Sequence, residues 1–371
     1  MAPIPRIVSD PTLEEVDRII EERENAQDAR AYLGVSSIGM ECSRALWMGF
    51  RWCSRKAFDA VTIRRFQDGH RSEAIMIERL RAVPGIQLWT TNPTENPVYP
   101  DEQIACSDIG GHSRGHLDGI ILGLIQAPKT PHVWEHKCVN EKKQAKLLKL
   151  KSEKGEKQAL AEWDATYWAQ HILYMDYQSL TRGYLTCDSP GSRTTVSVRT
   201  DADPVAAMRL KEKARRIITA AEPPERISER PDWFQCQWCD HRATCHQEPA
   251  APAIPAVNCR TCAHATPELD GDARWSCARY GCDLSVDAQR RGSECPAHVF
   301  IPALLPWKAV DADESMGWIE HQTQDGRTIR NGPTGYASRE IAAGAGICGD
   351  VVVDRARETM GAEVVPVGEA A

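Results

Sequence analysis

Eight of the fourteen cysteines fall between Cys236 and Cys295, in two tight groups. The first, WFQCQWCDHRATCH, sets Cys236, Cys239 and Cys245 in a C-x2-C-x5-C run. The second, NCRTC through ECPAH, carries Cys259, Cys262, Cys277, Cys282 and Cys295 with His264 and His298. The N-terminus, MAPIPRIVSDPTLEEVDRII, lacks the basic, apolar and small-residue order of a signal peptide, and no apolar run approaches the ~20 residues that span a bilayer. A soluble, cytoplasmic protein without a membrane partner is therefore expected. Disulfides rarely persist in that compartment, so clustered cysteines read as metal or iron–sulfur ligands, and a chain that must close around such ligands has few folds open to it.

Three thiolates at 236, 239 and 245 need a fourth ligand. His241 or His246 would complete a small zinc site locally, and Cys42, at the start of an apolar segment, is the distant alternative. In the second group Cys259 and Cys262 form one knuckle, and Cys277 with Cys295 is the preferred second pair, with Cys282 and His298 as alternatives. About forty residues are too few to fold on apolar burial alone, so a zinc-ribbon-like module with structural Zn2+ is expected there, a second iron–sulfur cluster being the runner-up.

At 371 residues the chain exceeds one usual core. The Pro- and Ala-rich stretch EPAAPAIPAV marks a linker. The expected organisation is a catalytic domain over 1–246, a linker over 247–257, the cysteine-rich module over 258–300, and a tail or small β element over 301–371 with one hairpin around Gln324 to Gly326. Within the first domain, Asp10 and Pro11 open a charged helix running towards Asp28. Ser36 or Ser37 would cap an apolar helix containing Cys42, Leu46 and Trp47, and a third helix spans about Val61 to Arg81. IQLWT, QIACS, HLDGIILGL and HVWEHKCV then read as strands. A lysine-rich segment leads into the aromatic helix AEWDATYWAQHILYMDYQSL, followed by strands RGYLTCD and TTVSVRT and the helix DPVAAMRLKEKARRIITAA. Trp163, Tyr167 and Tyr174 on the aromatic helix read as a core stripe.

Asp118 in HLDGIILGL and Glu135 and Lys137 in HVWEHKCV spell D, sixteen residues, then E-x-K. Period-two geometry puts Glu135 and Lys137 on one strand face. A hairpin turning through Ala127 to Pro131 would set residues near 118 opposite residues near 137. Two carboxylates so placed can hold a hard divalent cation such as Mg2+ or Mn2+, whose waters include a nucleophile. The lysine can orient or help deprotonate that water, or offset charge on a phosphate. Two further segments join this set. GHRSE places Glu73 four residues after Gly69, and YWAQHILY places Gln170 and Tyr174 one helical turn apart.

The ordered series GHRSE, HLDGI, EHK and QHILY resembles the PD-(D/E)XK nuclease superfamily. Its RecB-like branch, with the CRISPR-associated RecB-like exonucleases, the AddB nuclease domain and phage exonucleases, is the most similar. The resemblance runs from about Gly34 to His246. It implies an α/β, restriction-endonuclease-like fold, a central mixed sheet flanked by helices, with the small cysteine-rich module appended. It implies that Asp118 and Glu135, with Glu73 and the carbonyl of His136, hold one or two Mg2+ or Mn2+ ions; His70 is the alternative to Glu73, because many relatives carry His there. By the same resemblance Lys137 is the catalytic lysine, and Gln170 and Tyr174 position it and the DNA strand. Cys42 then joins Cys236, Cys239 and Cys245 around a 4Fe-4S cluster that staples the domain.

The expected activity is a metal-dependent DNA exonuclease acting on linear single- or double-stranded ends, in phage-type recombination, repair or DNA processing, alongside a recombination or helicase partner protein. The net charge of −7 excludes a generally basic coat protein, so DNA contact must be local. Lys142, Lys143, Lys146, Lys149 and Lys151, just after the E-x-K strand, are the expected contacts. A non-catalytic DNA-binding or assembly protein of the same fold is the alternative. A redox protein is disfavoured by the absence of a G-x-G-x-x-G fingerprint, and no G-x-x-x-x-G-K-[ST] loop for ATP occurs.

Overall fold

The structure, a computed structural model, describes residues 10–92, 103–247 and 252–366. Part of the expected linker, residues 248–251, lies outside the described residues, as do 1–9, 93–102 and 367–371. The chain divides into two compact units, each assembled from separated segments. The first comprises 1–29, 56–105 and 116–204; the second comprises 30–55, 106–115 and 205–371.

The first unit is a mixed α/β layer structure. Helix α1 (Pro11–Asn25) is capped by Asp10, whose carboxylate accepts from Thr12 N and Leu13 N. Helix α2 (Ala60–Arg81) is capped by Asp59. Strands β1 (Gln87–Trp89), β2 (Gly119–Leu122), β3 (His132–Cys138), β4 (Arg182–Asp188) and β5 (Thr195–Asp201) form one five-stranded sheet in sequence order. Only β3 and β4 run parallel, and a parallel neighbour needs a crossover. Three helices supply it: α3 (Glu141–Lys154), α4 (Glu156–Trp163) and α5 (Ala165–Tyr177). The aromatic helix expected over 161–180 is broken at one place, Asp164, and the lysine-rich segment that leads into it is itself helical, broken at Gly155. Gly155 sits at φ 84°, and Asp164 is extended because its carboxylate caps α5 through Thr166 N and Tyr167 N.

One face of the sheet packs Leu88, Ile121 and Trp134 against Met76 and Leu80 of α2 in a buried cluster. A second cluster buries Leu185, Cys187 and Val198 against Leu147, Leu160 and Trp163 of the crossover helices. Gly183 is required by the packing of α5: a side chain there would collide with the buried ring of His171.

The second unit carries three small elements of sheet and several helices. The stretch HLDGIILGL, expected as one strand, is divided: Ser113–His116 belongs to a short sheet with Leu33–Gly34 and Ala105–Asp108, and Gly119–Leu122 belongs to the large one. The helix expected after Ser36 or Ser37 begins later, at Ser43, because Cys42 is its N-cap, with Sγ accepting from Ala45 N; Val35–Ser37 forms only a 3-10 turn. The expected hairpin around Gln324 to Gly326 is present, Trp318–Gln322 pairing antiparallel with Thr328–Asn331, and Lys308–Asp313 adds a third strand.

Two arginines occupy the core of this unit. Arg260 is 1% exposed, with its guanidinium carbon 3.7 Å from the Trp52 ring centroid and 4.8 Å from that of Trp275. Its nitrogens donate to Gln289 Oε1, Phe50 O and Ala31 O at 2.8–2.9 Å. Arg51 lies beside it, donating to Arg260 O and Ala220 O. Among the described residues neither is paired with a carboxylate, and burial pushes Arg260 down to about 9 and Arg51 down to about 10. Residues 30–55 and 258–295 are thus held in one core. No helix among the described residues is long and apolar enough to cross a membrane.

Candidate active site and cysteine groups

Strand β3 pairs with β2 in the register Gly119↔Trp134, Ile120↔Val133 and Ile121↔His132. Continued by one step this sets Asp118 opposite Glu135, two residues from the register that pairs 118 with 137. The turn is centred nearer to Gln126 than to the expected Ala127–Pro131 segment, and Leu124 and Ala127 close it with an isolated bridge. Directly opposed residues share a sheet face, so the two carboxylates become neighbours. Asp118 Oδ2 accepts from His136 N at 2.7 Å, and Glu135 Oε1 accepts from Asp118 N at 3.4 Å.

Lys137, two residues on from Glu135 and on the same face, donates from Nζ to Glu135 Oε2 at 2.8 Å. Gln170 Nε2 donates to that same oxygen at 3.0 Å and lies 3.3 Å from Tyr174 Oη, which donates to His116 O at 2.8 Å. The i, i+4 spacing on α5 therefore brings Gln170 and Tyr174 down onto β3 and the approach to β2. Glu73 faces the group from α2. Burial and the charge of Asp118 raise its carboxyl to about 7, with Lys137 opposing. Glu135, 1% exposed, is raised to about 8 by burial and then by Asp118, against the pull of Lys137. Burial works against the ammonium of Lys137, but Glu135 and Asp118 outweigh it and hold the group well above its ordinary value.

His70 is exposed on α2, and no contact brings it to the carboxylates. The His136 ring lies on the opposite sheet face, between Ser72 Oγ at 2.8 Å and Thr186 Oγ1 at 2.9 Å. Its main-chain N–H, by contrast, binds Asp118. Among the expected DNA contacts, Lys142, Lys146 and Lys149 are exposed. Lys151 is engaged with Ser197 O and Glu156, and Lys143 pairs with Asp164 at 2.7 Å. Lys143 and Lys137 both approach the ring of Tyr167, at 4.5 and 5.4 Å from its centroid. The aromatic stripe alone presents Tyr167 as core; its spacing of three from Gln170, on the same helix face, is the signal that it belongs with the site.

In the second unit, Cys42, Cys236, Cys239 and Cys245 all line one cavity, with His241 and His246 at its wall. The Cys236 thiol is pushed up by burial and then by Cys245 and Cys42; Cys239 is raised by burial, with Cys42 and Cys245 contributing. Arg226 donates twice to the Cys245 carbonyl. The ring of His241 turns to Ser54 Oγ at 3.2 Å. In the second cysteine group, Cys259 is raised to about 12 by burial and by Cys262, Cys295, Cys277 and Cys282 together, and Cys277 and Cys282 are cross-strand partners. Both ring nitrogens of His298 are engaged, with Ser338 Oγ at 2.8 Å and Asn258 O at 2.9 Å. None of the fourteen cysteines is joined in a disulfide. Among the described residues no group of three or more His, Cys, Asp or Glu side chains is drawn together closely enough to hold a metal ion.

No family model matches the chain, and no curated protein matches it. Among solved structures, the protein SSO0001 is similar at 13% identity over 62% of this chain and 95% of that one, with a TM-score of 0.35. An alkaline exonuclease, LHK-Exo, from Laribacter hongkongensis is similar at 12% identity over 53% of this chain and 90% of that one, with a TM-score of 0.35. The same enzyme in complex with dAMP gives 12% identity, 55% and 90% coverage and a TM-score of 0.33. With TM-scores this low, these likenesses do not assign the fold.

Proposed function

We propose that the chain is a metal-dependent DNA nuclease of the PD-(D/E)XK, RecB-like kind, hydrolysing phosphodiesters at DNA ends. The observation that carries the reading is the meeting of Asp118, Glu135, Lys137 and Gln170 at one end of β3, from two strands and a crossover helix. Asp118 and Glu135, with Glu73 near them and, as the resemblance implies, the His136 carbonyl, would hold Mg2+ or Mn2+, which would supply an activated water and a Lewis acid towards the phosphate. The raised carboxyls of Glu73 and Glu135 fit this assignment, since two acids crowded near a third favour a cation. Lys137 offers a fixed positive charge where charge develops on the phosphate. Gln170, backed by Tyr174, would hold the Glu135 carboxylate and, through that carboxylate, Lys137. The exposed Lys142, Lys146 and Lys149 offer salt-sensitive contacts to the DNA backbone.

Cys42, Cys236, Cys239 and Cys245 are the residues that would hold a 4Fe-4S cluster, a structural staple in the second unit. Cys259, Cys262, Cys277 and Cys295 would hold Zn2+, with Cys282 as the alternative fourth ligand. The full engagement of His298 argues against it as a ligand. Protein purified without oxygen is expected to be brown and to contain both iron and zinc. Colourless, iron-free protein from the same preparation would remove the cluster.

Incubation with end-labelled linear DNA and closed circular DNA, in Mg2+ or Mn2+, tests the activity. Linear DNA should be degraded, circular DNA spared, and K137A inactive on both. Equal degradation by K137A and the unaltered chain would exclude the site.

A further inference from the structure

The Tyr167 ring sits among three groups. Lys143 Nζ is 4.5 Å and Lys137 Nζ 5.4 Å from its centroid, and the Trp163 ring is 5.5 Å away, tilted by 48°. Asp164 fixes this arrangement twice over. Its Oδ1 accepts from Tyr167 N at 3.0 Å as the cap of α5, and its Oδ2 takes Lys143 Nζ at 2.7 Å. Trp163 Nε1 donates to Lys143 O at 2.7 Å, tying the first turn of α3 to the end of α4. Tyr167, Gln170 and Tyr174 lie on one face of α5 by their spacing of three and four. Gln170 holds the carboxylate of Glu135, while the ammonium bonded to that carboxylate faces Tyr167.

We propose that Tyr167 is a positioning residue for Lys137: its ring, locked by the Asp164–Lys143 pair and by Trp163, confines the Lys137 ammonium beside Glu135. The reasoning is geometric. A lysine side chain has four flexible carbons, and among the described residues the Lys137 ammonium is hydrogen-bonded to Glu135 alone. An aromatic face attracts a cation and restricts where it can go. The ring is placed before DNA arrives, because the groups that fix it belong to the protein. Lys143, expected to meet phosphate directly, acts here through the ring instead. The catalytic role of Lys137 rests on the nuclease reading; its confinement by Tyr167 does not.

Two measurements on the full chain separate these. The first is acetylation of Lys137 by a water-soluble succinimidyl ester, followed by mass spectrometry. Y167L should label Lys137 about threefold faster than the unaltered chain, and Y167F, which keeps the ring, should stay close to it. The second is kinetics on linear DNA. Y167L should lower kcat about tenfold with KM within about twofold, and Y167F should retain at least about half of kcat. Where Y167L fails to fold by circular dichroism, K143M replaces it, with Lys137 labelling expected to rise about twofold. Equal labelling in Y167L and the unaltered chain overturns the proposal, as does a Y167F as fast-labelling as Y167L. If no form of the chain cleaves DNA, the nuclease reading fails while the labelling still decides the role of Tyr167.

Discussion

Both units bury charge, and they do it in opposite ways. In the first, Glu135 and Glu73 crowd Asp118, and both are raised towards or past neutrality with one lysine between them. In the second, Arg260 lies among three aromatic rings with its guanidinium nitrogens bonded to carbonyl or amide oxygens. The arginine has what it needs from the fold and is a structural element. The carboxylates do not, and a group left electrostatically unsatisfied inside a folded chain is a candidate for work on a ligand.

The largest effect should therefore come from the first unit. D118N is expected to lower cleavage on the order of 10³-fold, while stabilising that unit by about 1 kcal/mol, because it relieves Glu73 and Glu135 of a neighbouring charge. An Asn can still accept from His136 N, so the local backbone should hold. Cleavage assays and hydrogen exchange on peptides of β3 check both halves. A destabilised D118N would break the contrast with the second unit.

R260M should do the reverse, destabilising the second unit by about 3 to 4 kcal/mol, since three carbonyl or amide oxygens lose their donors inside a packed core. Exchange on peptides from 43–50 and 275–284 should rise, and that on β3 should not. A neutral R260M would show that the aromatic cage alone sustains this core.

The pH dependence should also separate the units. His298 and His321 of the second unit are lowered to about 4 and His171 of the first to about 3, mainly by burial, so the units differ above pH 6.5 rather than below it. A histidine with a depressed native pKa contributes stability above its unfolded value near 6.5, and that contribution is lost as pH falls towards 4, up to about 3 kcal/mol for His298. Glu135 and Glu73 are raised, so their contribution is complete below about 4.5 and is lost as pH rises through about 7 to 8. Between pH 6.5 and 8 only the first unit should weaken with rising pH, and added Mn2+ should remove that slope. Exchange corrected for its intrinsic pH dependence reads the two separately.

The smallest effect concerns DNA contact. Replacing Lys142, Lys146 and Lys149 together with Gln should reduce the salt dependence of binding by about two to three in its logarithmic slope, with little change in folding. An unaltered slope removes the lysine patch.

Much of this is legible in the sequence because it is local. The Asp10 and Pro11 start of α1, the long helix α2, the strands β3, β4 and β5, and the spacing of Glu135 with Lys137 and of Gln170 with Tyr174 each follow from one short stretch. What stays open needs the rest of the chain. The register that sets Asp118 against Glu135 depends on how residues 123–131 turn. The break at Leu117 and Asp118 arises because one stretch feeds two sheets. The Arg260 cage joins positions more than two hundred residues apart, and nothing in CRTC announces that its arginine is buried. Tyr167 resembles core in the sequence because its two ammonium neighbours come from β3 and α3.

Titration of Mn2+ into the metal-free chain, followed by electron paramagnetic resonance and then by addition of linear DNA to the same sample, bears most directly on the central claim. The unaltered chain should take up one or two ions saturably and shorten the DNA, and D118N should do neither. Failure of the unaltered chain to bind Mn2+, or cleavage by D118N at an equal rate, would contradict the assignment of Asp118, Glu135 and Lys137 as a nuclease centre.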